Sequence, residues 1–222
     1  MVRSFYSLGI VSIKGWILDS DADILIACVR DPFSMKIEIT HSWGAPVLHV
    51  LIKDNRLEVL SFQEKTIYLG AFTPEALSRF LPGFSVDQAM LWSILSGRPP
   101  ILKHEVVGLQ RTDRISLSDN DGTELEAIYL PFKGPLPGKV SFSRQSLDVS
   151  FSDYKEKGGI FYAGETTLNG IKGGKKLNFK AEKMALNTSI PDQIFTLEKP
   201  STYQTVNLDY LDGNTENLSR RP

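Results

Sequence analysis

Short runs in which apolar and polar residues alternate recur along this chain of 222 residues, and they constrain its fold more than any other feature. Successive side chains of a β-strand point to opposite faces, so alternation gives each strand one apolar face and one polar face. The pattern is clear in five runs: KIEI at 36–39, RLEV at 56–59, KVSF at 139–142, SLDVSF at 146–151 and KLNFKA at 176–181. One apolar face and one wetted face are typical of an antiparallel sheet.

Residues that favour tight turns separate these runs. They occur at KDN (53–55), DNDG (119–122), KGG (157–159), NG (169–170) and GG (173–174), where Gly, Asn and Asp tolerate the positive φ angles of hairpins. Strands joined in this way form a meander. The sequence lacks the strand–helix–strand rhythm of a parallel sheet, so we expect a mainly β fold of antiparallel strands.

The stretch 70–100 breaks the strand pattern and predicts two short helices. Thr73 and Pro74 suit the N-cap and first turn of the first helix. Its apolar residues recur at the spacing of one helix face: Leu77, Phe80 and Leu81. Ser85 and Gln88 form the capping-box pattern of the second helix.

The second predicted helix is apolar on almost every side, and Gly97 marks its end. Its apolar residues include Met90 and Ile94. A helix of this kind is covered by protein on most sides or contacts lipid. The helices could therefore be a fixed plug that completes the core, or a cover that exchanges with a ligand.

Composition excludes several classes of protein. With 41% hydrophobic residues the chain can bury a full core without metals or disulfides. A net charge of −1 creates no field that would attract nucleic acid, so we expect no nucleic-acid partner. No apolar run approaches the roughly 20 residues of a membrane span.

The single cysteine, Cys28, has two interpretations. The sequence LIAC at 25–28 is similar to a bacterial lipidation signal. Asp19, Asp21 and Asp23 interrupt the apolar segment that such a signal requires, so a cysteine buried in a strand fits better.

No pattern of catalytic residues is visible. The three histidines are scattered without metal-ligand spacing, and no nucleophile elbow, phosphate-binding loop or zinc motif occurs. DNDG echoes a calcium loop but lacks its twelfth-position glutamate, so a hairpin turn is favoured. We expect no catalytic residue, no metal and no cofactor, and we hold a hydrolase only as a third hypothesis.

Three stretches together resemble a known family. ADILIACVRDPFSMKIEIT (22–40) is similar to its strand, basic-residue–proline turn and second strand, although Asp31 is inserted before the proline here. The stretch 73–100 is similar to its pair of helices, and ALNTSIPDQIFTLEKPSTYQTVNL (185–208) to its closing D-x-x-F-x-L-x-x-P segment and extended tail. The family is the Lol lipoprotein-localisation family, with its carrier LolA and receptor LolB.

This resemblance implies an unclosed half-barrel, a strongly bent antiparallel sheet whose concave face is apolar. It implies a single domain at 1–209, a helical lid at 73–97 and a polar C-terminal tail at 210–222. The implied function is binding of lipoprotein acyl chains or lipid during lipoprotein trafficking or insertion at the outer membrane. The alternative is a non-catalytic envelope interaction or structural subunit with the same fold and a filled core.

The alternating runs and the helices supply candidate residues for a ligand cavity. From the sheet they are Ile37, Ile39, Leu57, Val59, Val149 and Phe151. From the helices they are Leu77, Phe80, Leu81, Met90 and Ile94. The resemblance adds Arg30 as a latch that hydrogen-bonds the lid, and the other interpretation of Arg30 is a surface residue paired with Asp31.

HSWGAPVL (41–48) predicts a turn whose tip carries Trp43. A turn tip normally faces water and is polar. Trp43 could touch a membrane surface, as an apolar loop residue of the receptor type does, or it could fold back onto the sheet.

The resemblance also implies a place in the cell and a set of partners. The place is the periplasmic face of the cell envelope, with outer-membrane anchoring through an N-terminal segment absent from this chain. The partners are an acylated lipoprotein or lipid, a membrane surface and a second Lol-type carrier or receptor. The sequence by itself fits either a cytoplasmic protein or an N-terminally trimmed one.

Overall fold

The computed structural model describes residues 1–14, 21–81, 83–111, 113–131, 134–170 and 175–210. Within these ranges, 14 strands form one sheet that does not close on itself. Two α-helices are inserted between the sixth and seventh strands. The mainly β, unclosed fold with a helical insertion in mid-chain is therefore confirmed.

The first six strands are β1 (Ser4–Lys14), β2 (Asp21–Arg30), β3 (Phe33–His41), β4 (Pro46–Lys53), β5 (Arg56–Ser61) and β6 (Thr66–Ala71). The helices α1 (Pro74–Ser78) and α2 (Gln88–Leu95) follow. The remaining strands are β7 (Val106–Arg111), β8 (Arg114–Ser118), β9 (Glu124–Tyr129), β10 (Lys139–Phe142), β11 (Leu147–Lys157), β12 (Ile160–Gly170), β13 (Lys176–Leu186) and β14 (Gln204–Asn207).

Two meanders make up the sheet. One runs from β1 outward to β6 and the other from β7 inward to β13, and they join where β1 pairs with β13. The strands β6 and β7 consequently lie near opposite edges of the sheet. The chain that connects them crosses the face that carries the main core, called the inner face here, and this connection contains both helices.

A second crossing runs over the opposite, outer face. Residues 187–203, called the strap here, lead from β13 in the middle of the sheet to its edge, where β14 pairs with β6. This pair is parallel, so the expectation of antiparallel strands alone is wrong at that edge. A chain that crosses over the sheet before adding a strand can arrive in either direction, whereas a hairpin cannot.

Alternation along the strands decides which side chains face the core. In β5, Leu57 and Val59 are buried on the inner face, and Glu58 between them forms an ion pair with Lys199 of the strap at 2.8 Å. The outer face has a small core of its own, in which Phe195 of the strap covers two apolar residues, Ala27 and Leu51.

Most predicted turns are confirmed by their backbone angles. Asp54 and Asn55 have φ values of 51° and 57°, and Gly158 and Gly159 have 58° and 75°. The turn predicted at Asn169 and Gly170 is wrong. Asn169 still pairs with Lys176 across the sheet. The turn predicted at 173–174 lies outside the described residues.

The single domain at 1–209 stays a prediction. Leu208 is buried in the main core and Tyr210 is exposed, while residues 211–222 of the predicted tail lie outside the described residues. None of the described helices has the length and apolar character of a membrane-spanning segment.

Candidate functional site

The helical cover, defined here as residues 73–97, lies on the inner face of the sheet. Thr73 caps α1, because its Oγ1 accepts a hydrogen bond from the Ala76 N–H at 3.1 Å, as predicted. The predicted cap of α2 at Ser85 is wrong. The N-cap is Asp87, whose carboxylate accepts from the Met90 N–H at 2.8 Å.

The cover is fixed at its C-terminal end by a close backbone approach. The carbonyl of Gly97 accepts a hydrogen bond from the Ala163 N–H of β12 at 2.7 Å. Gly97 has φ of +69°, and a Cβ at this position would lie 2.4 Å from the carbonyl oxygen of Ala163. Only glycine fits here, since both the backbone angle and the approach exclude a side chain.

A small cavity lies between the cover and the sheet. Its volume is about 70 Å³, which is the space of about two water molecules. The lining side chains are all apolar. The cover contributes Leu77, Phe80, Leu81, Leu91 and Leu95, and the sheet contributes residues of β1 to β4 and β13. An apolar cavity of this kind stays dry and favours apolar ligands.

The predicted cavity residues divide into two groups. Five of them line the cavity: Ile37, Ile39, Leu77, Phe80 and Leu81. The other six are buried in the main core without lining it: Leu57, Val59, Met90, Ile94, Val149 and Phe151. Alternation identifies the face on which a side chain lies, but it does not reveal which part of that face the helices leave unfilled.

Arg30 is not the latch that the resemblance implied. It is exposed at the end of β2 and lines a surface groove with Arg3, Asp31 and Ile190, not with the helical cover. Its side chain makes no hydrogen bond or ion pair with any residue in the described ranges, Asp31 included. The turn after β2 points this end of the strand into solvent, and an unpaired guanidinium is most stable there.

Trp43 lies at the tip of the hairpin between β3 and β4 and is 75% exposed. Its ring stacks on His41, with the ring centroids 5.0 Å apart and the planes 8° from parallel. The turn predicted here is present, since Gly44 has φ of +96° and its N–H donates to the His41 carbonyl. Trp43 is therefore exposed at the hairpin tip, with its ring against His41, the last residue of β3.

Glu126, a carboxyl group buried on the inner face, was not among the predicted site residues. It is 0% exposed and is paired across the sheet with Leu117 of β8 and Phe142 of β10. Its Oε2 accepts a hydrogen bond from the Leu102 N–H at 2.8 Å, and its Oε1 has no partner among the described residues.

The surroundings of Glu126 favour its neutral form. Burial raises the pKa of Glu126 to about 7, while the hydrogen bond from Leu102 and the nearby His104 act in the opposite direction. One signal in the sequence could have found it: Ile128, two residues further along β9, is a core residue on the same face. A strand that keeps one face buried also buries a glutamate in that register.

Cys28 is buried in β2, as the strand interpretation predicted. Burial raises the pKa of its thiol far above the ordinary value, so the thiol stays neutral and is a poor nucleophile. Over the residues that the structure describes, no three His, Cys, Asp or Glu side chains lie close enough to hold a metal ion together.

The fold has counterparts among solved structures. No protein-family profile matches the sequence, and no curated protein matches it. A DUF1329 family protein from Desulfovibrio piger superimposes with a TM-score of 0.56 at 12% identity, over 88% of this chain and 90% of that chain. A LolA superfamily protein from Nitrosomonas europaea gives a TM-score of 0.56 at 14% identity, with the same coverage of 88% and 90%. This chain therefore has the fold of the LolA superfamily, an open sheet with helices across its inner face.

Proposed function

We propose that this chain is a non-catalytic binding protein that holds lipoprotein acyl chains or lipid on its inner face, at the periplasmic side of the cell envelope. The observation that carries the proposal is the cavity under the helical cover, because every side chain that lines it is apolar. The likeness in fold to a LolA superfamily protein supports it.

The physical need for such a protein follows from the cost of exposing acyl chains. Each CH₂ group left in water costs about 0.8 kcal/mol. An acyl chain of about 16 carbons therefore does not cross an aqueous compartment at a useful rate without a carrier. Shielding needs apolar area and little specificity, and the leucine, isoleucine and phenylalanine side chains of this cavity supply it.

The cavity is too small for a whole acyl chain in the conformation described. It offers about 70 Å³, while each methylene group is nearly as large as a water molecule of about 30 Å³. We therefore propose that the helical cover acts as a lid and moves to admit the ligand. The contacts in the cavity between lid and sheet are apolar, so an acyl chain that replaced the lid would leave no polar group unsatisfied there.

Trp43 extends this proposal to a membrane surface. An exposed indole has a large apolar ring and one N–H donor, which suits the headgroup region of a bilayer. We propose that the hairpin tip touches the membrane while lipid or an acylated lipoprotein passes to or from a second Lol-type protein. The exposure of Trp43, 75%, is the supporting observation.

Close packing favours a second candidate function. Leu57, Val59 and Val149 are each 0% exposed, so much of the predicted cavity is filled by the protein itself. A filled core suits an envelope interaction or structural subunit, in which the helical cover is a permanent plug. The two functions differ in whether the cover ever leaves the inner face.

An apolar fluorescent dye and native mass spectrometry would test the lipid-binding proposal. We expect gently purified protein to carry lipid, and delipidated protein to bind one dye molecule that an acylated peptide displaces. Leu91→Phe fills the cavity from α2 and should weaken dye binding by about tenfold, since it takes up volume that the ligand needs. Leu197→Phe enlarges a residue of the outer core instead and should bind dye like the wild type.

Two results would contradict the proposal. One is an absence of dye and lipid binding in a protein that is folded by circular dichroism. The other is equal loss of dye binding in both variants, which would place the dye elsewhere. Either result would favour the interaction subunit.

A further inference from the structure

Residues 98–105 connect the helical cover to β7, and Leu102 in this segment is held by two side chains. The carboxylate of Glu126 accepts a hydrogen bond from the Leu102 N–H at 2.8 Å. The Nδ1 of His104 lies 3.0 Å from the Leu102 carbonyl oxygen. Both the N–H and the carbonyl of Leu102 thus have a side-chain partner. One of these partners, Glu126, belongs to the sheet.

Glu126 has an apolar environment on its sheet sides. The facing positions are Leu117 on β8 and Phe142 on β10, and the titratable group that acts on it from the connecting segment is His104. Its second oxygen, Oε1, has no partner among the described residues. Burial of Oε1 without a partner costs both forms of the side chain, but it costs the charged carboxylate more than the neutral acid.

We propose that Glu126 is a proton-controlled anchor of the helical cover. The neutral acid holds the segment 98–105 closed against the sheet. Loss of the proton favours an open state in which the carboxylate reaches water and the segment detaches. The Gly97–Ala163 hydrogen bond is then left to attach the C-terminal end of the cover to β12. This inference gives the proposed lid a regulator, but the opening itself needs no ligand to be measured.

The direction of the pH effect follows from linkage. In the closed state the pKa of Glu126 is about 7, so the side chain keeps its proton up to about that pH. In the open, hydrated state its pKa has the ordinary value of 4.5. Between these values the closed state binds a proton that the open state has lost, so raising the pH favours opening. The opening equilibrium rises about tenfold per pH unit in this window and levels off above it.

Amide hydrogen exchange at Leu102, followed by NMR between pH 5 and pH 8 and corrected for the intrinsic exchange rate, measures this opening. We expect protection of the wild type to fall about tenfold per pH unit up to about pH 7. Glu126→Gln keeps an acceptor for the Leu102 N–H but cannot ionise, so its protection should not change with pH. Glu126→Met removes the acceptor of the Leu102 N–H as well as the ionisable group, so Leu102 should lose its protection already at pH 5, and protection that remained would overturn the inference.

A neighbour in the same strand supplies the matched control. Glu124 forms an ion pair with Arg114 at 2.7 Å and is not buried in the core, so Glu124→Gln should keep the wild-type slope. A wild-type profile without slope, or a slope that persists in Glu126→Gln, would overturn the inference. Failure to bind dye or lipid would count against the proposed function alone, because exchange at Leu102 is measured without ligand.

Discussion

Trp43 is an aromatic side chain that is 75% exposed, and its only ring partner in the described structure is His41. Replacement by glutamate removes the apolar ring and adds a charge at the tip of the hairpin. We expect Trp43→Glu to weaken binding to anionic liposomes by about tenfold or more, because one aromatic anchor is lost and like charges repel. Liposome co-sedimentation and the blue shift of tryptophan emission would measure this.

The apolar dye separates the membrane contact from the cavity. Trp43→Glu should bind dye as the wild type does, since Trp43 does not line the cavity. Phe161→Glu adds the same charge at another exposed aromatic residue, on β12, and should leave liposome binding unchanged. If liposome binding is weakened equally in both variants, the hairpin tip is not the part of the protein that contacts the membrane.

At single residues, the sequence predicts a position on a face better than it predicts a role. Leu77, Phe80 and Leu81 all line the cavity, although α1 ends at Ser78 and only Leu77 of the three lies within it. Arg30 lines a surface groove away from the cover. Its predicted role came from a sequence motif, and a motif does not show in which direction the end of a strand points. Glu126 was missed because a glutamate in a strand usually indicates the wetted face.

Among the elements, the helical cover depends on one glycine for its attachment to β12. A methyl group on Gly97 would meet the Ala163 carbonyl oxygen at 2.4 Å in a backbone with φ of +69°. We expect Gly97→Ala to lower the free energy of unfolding by about 3 kcal/mol, from backbone strain and the collision together. Denaturant unfolding measures the loss, and faster proteolysis within the cover would show where it acts.

Gly122 provides a control for the backbone angle alone. It has φ of +76°, yet an added Cβ would meet nothing within 4 Å. Gly122→Ala should therefore lower the free energy of unfolding by only about 1 kcal/mol, from strain. Equal losses in the two variants would show that the approach of the cover to β12 contributes nothing.

The limits of the second helix show what local patterns can and cannot predict. Apolar spacing predicts that α2 exists, and Gly97 predicts where it ends. The sequence places the cap at Ser85, two residues before the cap that forms at Asp87. Serine and aspartate are both good N-cap residue types, so residue type alone does not decide between Ser85 and Asp87.

For the molecule as a whole, the sheet is held by two crossings, the helical cover inside and the strap outside. Phe195 of the strap is 3% exposed and packs on Ala27 and Leu51. We expect Phe195→Ala to lower the free energy of unfolding by about 3 kcal/mol, the usual cost of removing a buried phenylalanine. Dye binding at the inner face should persist, since the strap lies on the other face.

Ile194, the neighbouring residue, is 36% exposed and gives the comparison for the strap. Ile194→Ala should change the free energy of unfolding by less than about 1 kcal/mol. Thermal unfolding and limited proteolysis of the strap would distinguish the two variants. A Phe195→Ala variant as stable as Ile194→Ala would mean that the outer core does not hold the strap.

The overall architecture was predictable only in part. Alternation and turn residues predict a mainly β, antiparallel meander, and these are local signals. The pairing of β1 with β13 and of β14 with β6 joins segments far apart in the chain, and nothing in a local pattern reports such pairs. The strap and its parallel strand follow from that long-range connectivity.

The pairing of β1 with β13 also sets the order in which this chain can become a folded protein. Phe5 lies opposite Leu186, so the middle of the sheet cannot form until most of the chain has been synthesised. The edge of the sheet next to β6 forms later still, because its partner strand β14 is Gln204–Asn207. Such distant contacts make folding slow, because a long loop must close, at a cost in entropy, before any of these contacts can stabilise the chain. Until then the alternating strands expose their apolar faces, and we expect the nascent chain to need a chaperone that the finished protein does not.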